Sequence, residues 1–373
     1  MTSYRLVVTP HWRPQMRDIV RTMRDVAMSG GDGDSLEIVG LRRGAPAIAA
    51  ARTDGLSILL SDDDEPKLVA RLARAGRGPH RVRVWWNTPE EIAAYLRTGR
   101  GFDDTHVCFF RDGWAALDAG DRTSVAVVPY AFTTPIRESR PAPPSGVWYA
   151  AEVDVSDAGL QTAVPPSSVS AFSARLWELA RAVVAGDMTM VHADQRLQVE
   201  TSDAPNLYRA GLWALRNRTR YLLVEGVVAA FPGRVRLRGD DWIKLGFEAE
   251  PTKFRRWRRL SEYQESRVAL DLGSKSTNSW LYPRVADILA AAAGLVQFDS
   301  GEGGGMFPGL SDRRGRSLDE LIAIVDRVLS LSGEAVTADN RRLYDGYSSL
   351  RLDAGRQLTQ AVVQGTARRP SER

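Results

Sequence analysis

The residue types best suited to gripping a diphosphate lie close together between Ser266 and Gly305. Ser274, Lys275 and Ser276 sit in a small polar run, Gly273 to Ser279, and Arg284 follows it, with Tyr282 just before. An arginine can hold two phosphate oxygens at once, whereas a lysine acts as a mobile point charge. Asp287 suits a ribose or sugar hydroxyl, or an i,i+3 pair with Arg284 along one helix. Gly239, Asp240 and Lys244 stand at another strand end and could reach the same ligand.

A general base has several candidates. His11 follows the first strand and titrates near neutrality. Glu91 follows the fourth strand, where it also completes a capping box with Thr88. His192 and Asp194 form a further pair in the second half. Glu302 lies within the glycine run Gly301 to Gly305, which reads as a lid or as a plain mobile loop. The run Lys253 to Arg259 interleaves arginines with Phe254 and Trp257. Such a run can stack bases and neutralise phosphates, or fold as an amphipathic helix with its aromatics inward.

The elements that must position these residues follow from apolar patterning. Arg267 to Leu272 reads as a buried strand, and Tyr282 to Ala293 as a helix with Val285, Ile288, Leu289 and Ala292 on one face. Pro283 falls near the first helical position, Gly294 ends the helix, and Leu295 to Phe298 begins the next strand. A strand feeding a polar loop and then a helix N-terminus offers free N–H groups and a favourable dipole to an anion.

Upstream, strands are expected at Tyr4 to Thr9, Ser35 to Gly40, Asp54 to Leu60, Arg81 to Trp86, Thr105 to Phe110 and Thr123 to Pro129. Helices are expected between them at Arg17 to Met28, Lys67 to Ala75 and Glu91 to Arg97. This alternation points to a parallel sheet covered on both faces. No GxGxxG follows the first strand, so the dinucleotide fingerprint is absent. A proline-rich stretch, Pro135 to Pro144, reads as a linker.

Beyond it, Gly146 to Glu152 and Arg234 to Arg238 read as strands. Helices are expected to Ala185, over Ala204 to Asn217, from Ser317 to Leu329 and over Ala338 to Gln364. Met188 to Gln198 reads as strand and loop, and Tyr221 to Ala230 as either state. The expected organisation is an N-terminal Rossmann-like domain at 1–145, a C-terminal one at 146–335, and a final helix and tail at 336–373. The fold class is α/β, with two doubly wound domains facing a cleft.

The segment from Ser274 to Gly294 resembles the donor-binding segment of GT-B-fold glycosyltransferases, in particular the spore-maturation CgeB type. The resemblance rests on Ser274, Lys275, Ser276, Arg284, Asp287 and Gly294, with Asp287 where that family usually has Glu. The "strand, Gly, acidic, Trp" ending at Arg238 to Trp242 resembles the strand before the donor site. The resemblance implies a metal-independent transferase that moves a sugar from a nucleotide-sugar donor to an acceptor hydroxyl. Magnesium is not expected to be required. The acceptor would be a glycan, a protein or modified DNA; the alternative is a non-catalytic domain of the same fold that binds nucleotide or carbohydrate.

Composition bounds the rest. The 373 residues can bury two cores, and 50 basic against 46 acidic residues leave a net charge of only +4, little for a nucleic-acid face. The single cysteine, Cys108, excludes an internal disulfide and a cysteine metal cluster. No signal peptide or bilayer-length apolar run is read, so the expectation is a cytoplasmic protein without a membrane span.

Overall fold

The structure is a computed structural model that describes residues 3–8, 19, 21–23, 35–40, 56–61, 80–85, 104–108, 125–127, 146–252, 262–273, 283–291, 293–301 and 308–367. The chain divides into two compact units, one of Met1–Thr133 with Ser348–Arg373 and the other of Thr134–Tyr347.

The first unit holds strands β1 (Ser3–Val8), β2 (Ser35–Gly40), β3 (Leu56–Ser61), β4 (His80–Trp85), β5 (Asp104–Cys108) and β6 (Val125–Val127). They form one six-stranded sheet in the order β2-β1-β3-β4-β5-β6, and every pairing is parallel. The helices expected between these strands lie outside the described residues, apart from Ile19, Arg21, Thr22 and Met23, of which Ile19, Thr22 and Met23 are fully buried.

The second unit repeats the plan. Its strands are β7 (Val147–Ala150), β8 (Val235–Arg238), β9 (Ala249–Glu250), β10 (Val268–Asp271), β11 (Gly294–Phe298) and β12 (Arg314–Gly315). They run parallel in the order β12-β11-β10-β7-β8-β9. The chain starts at β7, builds outward through β8 to β9, then returns to the other side of β7 at β10. Such an order creates a switch point between β7 and β10, and ligands of open α/β sheets bind beside the carboxyl ends of the strands there. Strands β10 and β11 are buried along their whole length, which is why they read as apolar runs without alternation.

The helices of this unit are α1 (Ala158–Gln161), α2 (Pro166–Ala185), α3 (Met190–Glu200), α4 (Pro205–Ala230), α5 (Asp240–Lys244), α6 (Pro283–Ala290) and α7 (Leu318–Ser330); α8 (Gly333–Ala367) runs on into the first unit's residues. Proline begins α2, where its missing N–H costs nothing, and Gly186 ends it in the left-handed conformation at φ 85°. Ser317 caps α7 by accepting from Glu320 N at 3.2 Å. The Glu320 carboxylate reaches back to the Arg316 N–H at 2.8 Å, one residue short of the reciprocal capping-box bond.

Two expectations are corrected. The stretch Met188 to Gln198 is helical, because Thr189 caps α3 by accepting the His192 N–H at 3.2 Å. The segments Ala204 to Asn217 and Tyr221 to Ala230 form one 26-residue helix, α4. The polar run Arg216 to Arg220 looked like a break, yet all five residues are buried. Arg216 meets Asp194 at 3.6 Å, and Asn217 accepts the Asp154 N–H at 3.2 Å. Arg218 donates to Asp157 at 2.6 Å and to Ser173 at 2.9 Å, and Thr219 donates to Leu215 O at 3.0 Å. Burial of polar side chains is tolerated where each finds a partner.

A chain of edge-on aromatic contacts, Tyr149–Trp242, Trp242–Phe247, Tyr221–Phe247 and Trp177–Tyr221, packs β7, α5, α4 and α2 into the core. No described helix is long and apolar enough to cross a membrane.

Candidate functional site

The pairing of β7 with β10 ends at Trp148 and Ala269, so the two strands part before their carboxyl ends. Four polar side chains fill the opening. Asp271, the last residue of β10, is fully buried. Its Oδ1 accepts from Arg284 Nη1 at 3.2 Å and its Oδ2 from Gln297 Nε2, on β11, at 2.8 Å. Arg284 lies in the first turn of α6, where no acidic residue stands. A cation there opposes the helix dipole, and the Asp271 carboxylate offsets that cost.

Tyr149, on β7, is the third member. The Arg284 guanidinium lies 5.5 Å from the centre of its ring. The Tyr149 hydroxyl is buried and makes no well-formed hydrogen bond. Burial pushes its pKa above 10, and the nearby charge of Asp271 adds to this, against the opposing charges of Arg220 and Arg284.

Arg220, from the middle of α4, is the fourth. It is 2% exposed and donates through Nη1 to Glu152 O at 3.2 Å and through Nη2 to Gly273 O at 3.0 Å. These carbonyls belong to the segments that leave β7 and β10. Among the described residues no carboxylate lies within ion-pair distance of it. Two buried guanidinium groups therefore face one carboxylate at the switch point, beside a helix N-terminus. Such an arrangement attracts an anion with several acceptor oxygens.

Of the residues singled out from the sequence, Arg284 is placed here. Asp287, one turn along α6, is 2% exposed, so it belongs to the buried side of that helix. Ser274, Lys275, Ser276 and Tyr282 lie outside the described residues, as do His11, Glu91 and Glu302. The segment that carries the first four leaves from Gly273, at φ 80°, and re-enters at Pro283.

Gly239, Asp240 and Lys244 form a separate arrangement at the end of β8. Gly239 has φ 149°, and a Cβ there would lie 2.6 Å from Ala151 O. Asp240 and Thr252 exchange two hydrogen bonds, of 2.9 and 3.2 Å. The Glu152 carboxylate accepts from the Thr252 hydroxyl and, at 3.4 Å, from the Asp241 N–H, tying the ends of β7, β8 and β9 together. Lys244 pairs with Asp241 at 2.8 Å on the surface. His192 is exposed on α3, while Asp194 accepts from the Tyr208 hydroxyl at 2.6 Å.

Sequence reasoning missed Arg220, Tyr149, Asp271 and Gln297. Asp271 had a signal, a lone carboxylate closing an apolar strand. Arg220 had one too, a third arginine within a five-residue polar run between apolar helical segments.

No family model matches the chain, and no curated protein matches it. Solved structures resemble it in fold. An O-GlcNAc transferase of Thermobaculum terrenum superposes with a TM-score of 0.50 at 13% identity, over 98% of this chain and 68% of its own. The DNA-modifying enzyme β-glucosyltransferase, studied with and without its substrate uridine diphosphoglucose, gives 0.51 at 8% identity, over 96% and 99%. The chain thus has an α/β fold of the GT-B kind, with parallel sheets in both units.

Proposed function

We propose that the protein is a glycosyltransferase that takes a sugar from a nucleotide-sugar donor, with the donor's diphosphate held at the switch point of the second unit. The observation that carries this reading is the pair of buried arginines, Arg220 and Arg284, set against the single carboxylate of Asp271 beside the N-terminus of α6. Negative charge grows on the diphosphate as the glycosidic bond breaks, so fixed positive groups there stabilise the transition state more than the ground state. Lys275, Ser274 and Ser276 precede Arg284 in the same strand–loop–helix segment and would add a mobile cation and hydroxyl donors. With arginine and lysine supplying the charge, the reaction needs no divalent metal.

Asp287 and Tyr282 are assigned to the donor's sugar or ribose, and Gly239, Asp240 and Lys244 to its periphery. His11 and Glu91 are the candidates for the base that takes the acceptor proton. The resemblance of the Ser274 to Gly294 segment to the CgeB type supports the donor assignment. Because one structure of similar fold is a glucosyltransferase whose substrate is uridine diphosphoglucose, the uridine nucleotides are the donors to try first. That relative acts on DNA, which favours modified DNA as the first acceptor class to test.

Calorimetric titration of uridine diphosphate and uridine diphosphoglucose, with chelator and then with magnesium, tests the reading. Saturable binding that is unchanged by chelator is expected. Absence of binding to any nucleotide diphosphate would overturn it.

A further inference from the structure

We infer that Arg220 is a positioning residue: by bridging the carbonyls of Glu152 and Gly273 it fixes where the 274–282 segment leaves the sheet, and so sets the donor site's geometry. The inference rests on the proposed donor site.

The argument begins with cost. A guanidinium that is 2% exposed has given up most of its hydration, and burying a charge without a carboxylate partner is expensive. Arg220 spends its two terminal nitrogens on main-chain oxygens, at 3.2 and 3.0 Å, and its Nε is buried without a partner. If the role were only to fill space, an apolar side chain of similar volume would serve better at that depth of α4. What the guanidinium alone provides is a planar, two-branched donor that can hold two carbonyls at a fixed separation.

The location gives the purpose. Beyond Trp148 and Ala269 the two central strands are no longer paired, so the ladder cannot fix the separation of their ends. Arg220 replaces the missing rungs. Gly273 is also where the backbone turns, at φ 80°, into the segment that bears Ser274, Lys275 and Ser276. A shift of its carbonyl therefore moves the departure point of every one of those side chains. Sites held only loosely lose function even when all their residues are present.

A double-mutant cycle tests this, with uridine diphosphate affinity as readout. Arg220→Gln removes the charged fork. Gly273→Ala re-aims the same carbonyl: a Cβ there meets nothing within 4 Å, so its only effect is strain at positive φ. Each single variant is expected to weaken binding by about tenfold or more, the scale seen when partners behind binding groups are removed. Because both act through one carbonyl, the double variant is expected to be no weaker than the worse single one. Additive losses, or wild-type affinity in Arg220→Gln, would overturn the inference while leaving the donor site standing. If the unaltered protein binds no uridine diphosphate, the donor site itself fails, and this inference with it. Should Arg220→Gln not fold, Arg220→Lys in the same cycle decides, since lysine keeps the charge but lacks the planar fork. A merely structural role would lower the melting temperature of the variants without making their affinity losses non-additive.

Discussion

Asp271 Oδ1 accepts a hydrogen bond from Arg284 Nη1 at 3.2 Å, joining the last residue of β10 to the first turn of α6. The contact does two things at once. It compensates a cation that the helix dipole disfavours, and it aims the guanidinium at the carboxyl edge of the sheet. Asp271 is buried and Arg284 nearly so, which makes the pair costly to break from either side.

Asp271→Ala is therefore expected to destabilise the protein by about 3–5 kcal/mol, since it leaves a buried guanidinium without its carboxylate. Asp271→Asn keeps the shape and an acceptor oxygen, and is expected to cost less. Urea unfolding of both variants checks this; equal stability of Asp271→Ala and the unaltered protein would show that the pair carries no weight.

Arg284→Lys separates charge from geometry. It keeps a cation near Asp271 but loses the two-pronged donor, so uridine diphosphate affinity is expected to fall by about tenfold. Titration calorimetry reads this directly, and an unchanged affinity would remove Arg284 from the donor site.

At Gly239 both conformation and space demand glycine. With φ 149° and a would-be Cβ 2.6 Å from Ala151 O, Gly239→Ala must displace main chain between β7 and β8. A loss of roughly 1–3 kcal/mol is expected from the strain alone. Thermal unfolding that matches the unaltered protein would contradict the tight approach of these strand ends.

Acid should weaken the fold in a defined window. Burial would push the carboxyls of Glu250 and Asp339 upward, but the guanidinium groups of Arg236 and Arg238 beside the first, and of Arg313 and Arg342 beside the second, hold both below the ordinary carboxylate range. A folded-state value below the unfolded one gives stability that is complete above the unfolded pKa, about 4. It is lost as pH falls through the folded values. The melting temperature is thus expected to drop on acidification below about pH 4, and less steeply in Glu250→Gln and Asp339→Asn. Identical acid profiles for these variants and the parent would rule the two carboxylates out.

The strands were legible in the sequence because parallel, doubly covered strands are apolar throughout: Val268 to Asp271 and Gly294 to Phe298 needed no tertiary knowledge. The short edge strands β9 and β12, two residues each, were not, since pairing rather than composition defines them. Helix α4 was split because Arg216 to Arg220 is polar, and only the partners Asp154, Asp157, Ser173 and Asp194 explain its burial. Those partners come from segments distant in sequence. The site was half legible for the same reason. Arg284 stood out by its place at a helix start, whereas Arg220 reaches the site from a helix whose local sequence says nothing about strand ends.

The most direct test of the donor-site account is hydrogen–deuterium exchange with and without uridine diphosphate, because it locates binding as well as detecting it. The account predicts slowed exchange concentrated in peptides spanning 272–287, at the carboxyl end of β10 and the start of α6. Protection confined to other segments, or no change at saturating nucleotide, would contradict it.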